Sequence, residues 1–106
     1  MTHYDYLDQY LLTHSKYAAH TIKAYRSDLR QMRSHHVDWS VASLQRYFHW
    51  MKACYKPSTI LRRYHVLRRL GNVLVEQKRL KKNPMIEIRP IVHQRLQDET
   101  YHDSEE

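Results

Sequence analysis

One glycine and three prolines interrupt 106 residues. That is too few turn-formers for a fold of many short strands, and no stretch alternates apolar and polar residues long enough to suggest a strand. A single cysteine, Cys54, excludes an intrachain disulfide and a cysteine zinc framework. It reads as a small buried hydrophobe. No apolar run approaches the roughly 20 residues that span a bilayer, and the opening Met1-Thr2-His3-Tyr4-Asp5 lacks the charged-then-apolar order of a signal peptide. These absences predict an all-α chain, cytoplasmic and without a membrane partner. Its length suits one compact domain and leaves no room for a second catalytic one.

What is present is aromatic and basic. Nine tyrosines and two tryptophans stand within an apolar content of 42%, so the expected core is amphipathic, with polar ring tips near water. The net charge is +7, from 18 Lys and Arg against 11 Asp and Glu. It is unevenly spread. Residues 16–36 hold five basic residues and one acidic, residues 56–95 eleven basic and two acidic, and residues 96–106 five acidic and no basic. Two basic blocks of this kind point to an acidic polymer as partner.

The apolar spacing divides the chain into helices. Thr2-His3-Tyr4-Asp5 is a capping pattern for a first helix over residues 2–13, with Tyr4, Leu7 and Leu11 at spacings of three and four. Ile22, Tyr25, Leu29 and Met32 mark the buried stripe of a second, from about Ala18 to His35. Lys23, Arg26, Arg30 and Arg33 repeat those spacings one residue later, so a basic face lies roughly 100° from the dry one. Val37-Asp38-Trp39 reads as a connection, and Ser40 as the N-cap of a third helix carrying Leu44, Tyr47, Phe48 and Met51. Pro57 suits the first turn of the longest helix, which ends near Gln77-Lys78-Arg79. Ile60, Tyr64, Leu67, Gly71 and Leu74 line its dry side, with Arg62 and Arg69 roughly opposite and Arg63 and Arg68 flanking. Since glycine costs a helix about 1 kcal/mol, Gly71 suggests a close helix crossing, with simple tolerance of the glycine as the alternative. Asn83-Pro84 marks a turn, Met85 to Ile91 a partial helix, and residues 95–106 a disordered acidic tail or the start of a linker after a domain spanning 1–94.

Each basic helix opens with threonine and isoleucine: Thr21-Ile22 in one, Thr59-Ile60 after Ser58 in the other. Free N–H groups, a hydroxyl and the positive helix end suit a phosphate. Arginine offers a fork for guanine edges or phosphates, and a helix fits the major groove. The candidates are Lys23, Arg26 and Arg30 on the second helix, and Arg62, Arg63 and Arg69 on the fourth. Nine histidines show no metal-ligand spacing, and no nucleophile–base pair, paired carboxylates or glycine-rich phosphate loop appears. We expect no metal, no cofactor and no catalytic residue. A helical protein-interaction module meeting an acidic protein remains an alternative.

Thr21-Ile22-Lys23-Ala24-Tyr25-Arg26-Ser27-Asp28-Leu29 resembles a Thr-x-x-x-Tyr-Arg-x-Asp-Leu run found in the core-binding domain of phage integrases and Xer-type tyrosine recombinases, the SAM-like integrase N-terminal domain. Pro57-Ser58-Thr59-Ile60-Leu61-Arg62-Arg63 leading to Leu67-Arg68, then Asn83-Pro84 and Ile88-Arg89-Pro90, continue the resemblance in order, over about residues 4–96. Ala18, Lys56 and Gly71 depart from it, standing where relatives carry a serine, a small polar residue and a bulky aromatic. The resemblance implies an orthogonal bundle of four to five helices forming one jaw of a clamp on double-stranded DNA. It implies phosphate contacts for Thr21, Ser58 and Thr59, base-edge approach for Lys23, Ser27 and Arg62, and mainly backbone contacts for Arg26, Arg30 and Arg63, while Lys56 and Arg69 complete the expected DNA-binding set. Other recombinase protomers and a separate catalytic domain are its implied protein partners, and strand cleavage would belong to that domain. A free-standing regulator of recombination or transcription fits the same residues.

Overall fold

In a computed structural model, residues 2–13 and 16–88 can be described. They form α1 (His3–Thr13), α2 (Ala19–Ser34), α3 (Val41–Cys54) and α4 (Pro57–Glu76), followed by a single helical turn over residues 85–88. The chain is all-α, and the described residues contain no strand. The expected acidic tail, 95–106, and the last part of the expected 85–91 helix lie outside the described residues.

The ends of the helices follow from local chemistry. Thr2 Oγ1 accepts the Asp5 backbone N–H at 3.1 Å and donates to the Asp5 carboxylate at 2.9 Å, starting α1 as its capping pattern predicts. Ser40 Oγ accepts the Ser43 N–H and starts α3. Two exits are less legible in the sequence. α2 and α4 both end in a left-handed residue that is not glycine, His36 at φ 55° and Lys78 at φ 61°. Beyond each, an N–H reaches back into the last turn: Val37 to the Met32 carbonyl at 3.1 Å, Arg79 to the Leu74 carbonyl at 2.8 Å. These are Schellman closures, normally the place of glycine. Here the closing hydrogen bonds, with Val37 buried after α2, hold an ordinary side chain in that conformation.

α1 packs on α2 and α4, and α3 on α4. The predicted dry faces meet in one core: Leu7 and Leu11 from α1, Leu29 and Met32 from α2, Phe48 and Met51 from α3, and the whole Ile60-to-Leu74 stripe of α4 are buried. Trp39, in the connection between α2 and α3, is buried too and plugs this core.

Two expectations are corrected. Cys54 is exposed, not buried. It lies seven residues beyond buried Tyr47 and so on the same helix face, but it is the last residue of α3, where the chain leaves for α4. Gly71 does sit at a close approach, yet its neighbour is the Asn83 side chain and not another helix. A β-carbon there would stand 2.2 Å from Asn83 Oδ1.

Candidate nucleic-acid interface

The two basic helices begin alike. Ala18 and Lys56 occupy the N-cap positions in extended backbone conformation, and neither helix start is capped by a side chain. Lys56 is exposed, as is Ser58 in the second position of α4, while Thr21 and Thr59 stand third in their helices and are half-buried. The positive end of the helix dipole therefore meets solvent at both starts, although at α4 Pro57 has no N–H and the Thr59 N–H donates to the Lys56 carbonyl at 3.1 Å.

The basic face of α2 divides in two. Arg26 turns to α1, where Nε donates to Asp8 Oδ1 at 2.6 Å and Nη2 to Oδ2 at 3.2 Å. Arg33 likewise reaches Asp5 at 3.0 Å. These pairs line a cleft of about 230 Å³ between α1 and α2. Its two carboxylates are already matched by arginines, so the cleft offers no acid–base pair. Lys23 and Ser27 lie outside this cleft, exposed, while Arg30, also exposed, lines it, and no ion pair engages Lys23 or Arg30 among the described residues.

α4 faces α2 through its arginines. Arg62, assigned by helical angle to the side opposite the core stripe, donates Nη1 and Nη2 to the two oxygens of Asp28 at 2.8 and 3.3 Å. One turn back on α2, the Tyr25 hydroxyl accepts from Arg69 Nη1 at 2.8 Å, and this bond raises the pKa of the guanidinium. The Tyr17 and Tyr25 rings meet edge to face, with their centroids 5.1 Å apart. Arg63 is turned inward, with only 13% of its side chain exposed. Its guanidinium lies 4.3 Å above the Tyr55 ring and its Nε 3.7 Å from Asp28. Tyr55 is held in turn by Gln31, whose Nε2 donates to the hydroxyl at 2.6 Å. That bond, and then Arg63, lowers the tyrosine pKa below its ordinary value.

Asp28, Tyr25 and Tyr55 are the residues that the sequence left without a role at this surface. A single acidic residue within a block of five basic ones was the available signal for Asp28. Among the described residues no group of three or more histidines, cysteines or carboxylates could hold a metal, and no helix is long and apolar enough to cross a membrane.

The model of the phage integrase N-terminal SAM-like domain matches residues 5–78. The chain belongs to that family. The match runs from the first turn of α1 to the left-handed residue closing α4, and all the candidate residues of this SAM-like domain fall inside it. It does not separate a Xer-type subclass from the rest. No curated protein and no solved structure gives a significant match.

Proposed function

We propose that this SAM-like domain binds double-stranded DNA, with α2 and α4 presented together to the duplex, as the core-binding module of a site-specific recombinase. The observation that carries the reading is the pair of cross-links, Asp28 to Arg62 and Tyr25 to Arg69, which join the two basic helices along one edge. In the proposed surface, exposed Lys23, Ser27 and Arg30 of α2 act with exposed Lys56, Ser58 and Arg62 of α4, and each helix starts without a side-chain cap. In this reading Thr21, Ser58 and Thr59 meet phosphates at the helix starts, and Arg30, Lys56 and Arg69 meet the backbone. Lys23, Ser27 and Arg62 approach base edges in the major groove. Arg26 and Arg63, engaged by Asp8 and by Tyr55 and Asp28, act chiefly by holding α2 and α4 in place.

The proposed role is binding without catalysis. Strand cleavage would require a catalytic domain, and the other protein partners would be further recombinase protomers in the cytoplasm.

Titration of a labelled duplex at several salt concentrations tests the reading. Affinity is expected to fall linearly on logarithmic axes, with a slope of about 0.9 per phosphate neutralised. Arg30→Ala should lower that slope by about one contact on every sequence. Absence of duplex binding at low salt would overturn the proposal.

A further inference from the structure

Asp28 presents a puzzle for a surface that is to meet an anion: a carboxylate, 5% exposed, placed in the middle of the basic edge. Both of its oxygens are taken by Arg62, and Arg63 stands behind it at 3.7 Å. Arg62 keeps 49% of its side chain in solvent, so it is at once tethered and accessible.

We infer that Asp28 is a positioning residue that ties down the Arg62 guanidinium and so converts it from a phosphate contact into a reader of base edges. The inference rests on the DNA-binding reading above. A guanidinium has five N–H groups in a rigid plane. Asp28 accepts one from each terminal nitrogen, which leaves three, Nε–H and one on each terminal nitrogen, held in a fixed plane at the α2–α4 edge.

Charge gives the second step. Asp28, shared between Arg62 and Arg63, offsets part of the Arg62 charge, so a phosphate that met Arg62 would gain less net attraction and would compete with a buried carboxylate for the same donors. Non-specific binding, which is driven by charge neutralisation, is therefore weakened at this position. A base edge carries no net charge and rewards direction. Acceptors such as guanine O6 and N7 suit donors whose plane is already set. Asp28 thus lowers affinity for arbitrary duplex and favours a duplex that places an acceptor opposite Arg62. Ser27, next to Asp28 on α2 and exposed, would complete the contact.

The test uses the full chain and a duplex recovered by selection from a random library, with a random duplex for comparison. Wild type, Asp28→Asn, Asp28→Glu, Arg62→Ala and the Asp28→Asn/Arg62→Ala double variant are titrated against both over a range of salt. Asp28→Asn should bind random duplex several-fold more tightly, with a slope steeper by about 0.9 as Arg62 gains a phosphate. Its preference for the selected duplex should fall about tenfold, the size of one good base contact. Arg62→Ala should lose the same preference while keeping the wild-type slope, and in the double variant the steeper slope should vanish. Asp28→Glu, which keeps the carboxylate, should keep the wild-type slope.

A purely structural Asp28 would give a different result: equal losses on both duplexes and an unchanged slope for Asp28→Asn, which overturns the inference. Should Asp28→Asn fail to fold, Arg62→Lys decides. It retains the charge without the fork, and a wild-type preference in that variant overturns the inference, while a loss like that of Arg62→Ala supports it. A wild-type chain that binds duplex with measurable preference but shows none of these shifts leaves the DNA reading standing and removes Asp28 from it. A wild-type chain that binds no duplex removes both.

Discussion

At Gly71 a missing side chain is filled by a neighbour's. The Asn83 amide lies against the helix there, where Nδ2 donates to the Arg68 carbonyl and to Asn72 Oδ1, each at 2.9 Å, and Oδ1 accepts the Met85 N–H at 3.0 Å. This amide ties the segment after α4 to the middle of the helix and sets the start of the 85–88 turn. Gly71→Ala should therefore destabilise the domain, although alanine is the better helix former by about 1 kcal/mol. The displaced amide is buried, and losing its partners costs about 1–3 kcal/mol. Urea unfolding would measure the loss, and in an Asn83→Ala background the same substitution should be harmless or stabilising. The position of Gly71 was legible in the sequence as a close approach. Its partner was not, because helical periodicity says nothing about a residue twelve positions away in an irregular segment. The arginines carry the same lesson. Helical angles put Arg62 opposite the core stripe, and so they do not reveal that α2 presents Asp28 there.

The helices differ at their starts, and the difference follows function as proposed. α1 and α3 are capped by Thr2 and Ser40, whereas α2 and α4 begin at Ala18 and Lys56 without a capping side chain. An optimised cap at Ala18, whose backbone is already extended, should stabilise the fold. Ala18→Asp is expected to add about 0.5–2 kcal/mol, from the cap bond and the helix dipole. The same carboxylate would occupy the place of a phosphate. Unfolding and duplex titration on one variant should then move in opposite directions, with stability up and affinity down. A rise in both would remove the α2 start from the proposed interface. Pro57 and the capping pattern at Thr2 made helix starts easy to read, since starts are written in side chains. The Schellman ends at His36 and Lys78 are closed by backbone hydrogen bonds and lack the glycine that usually announces them.

Across the whole molecule, the first helix is fastened to the end of the fourth. Arg79 Nε donates to His3 Nδ1 at 3.2 Å, and the Arg79 guanidinium lies 4.6 Å above the Tyr6 ring. Burial, and then the neighbouring Arg79, hold the His3 imidazole below its ordinary pKa. The folded state therefore favours neutral His3 more than the unfolded chain does. As pH falls below about 6.5 the unfolded chain takes up a proton that the fold resists, and stability declines until the folded pKa is passed. Thermal unfolding between pH 7.5 and 5 should show a smaller decline for His3→Gln than for wild type, by less than about 1 kcal/mol because the site is largely open to solvent. Identical pH profiles for the two proteins would assign the decline to other groups.

Composition and periodicity by themselves determined that this chain is helical, which faces are dry, and that its cations fall in two blocks, because those properties are local to each helix. The order of Thr21 to Leu29, Pro57 to Arg63 and Asn83-Pro84 was enough to recognise the integrase N-terminal SAM-like domain, a family that the match over residues 5–78 shows. Only the tertiary structure decided which of those cations another residue engages. The candidates share a common basic composition, yet packing sends Arg26 to Asp8, Arg63 to Tyr55 and the still exposed Arg62 to Asp28, while no ion pair engages Lys23, Arg30 or Lys56 among the described residues. An arginine reaches several ångströms from its own helix, so its role depends on the charge that a neighbouring helix places within that reach. Helix crossings fix that charge, and no spacing along one helix records them.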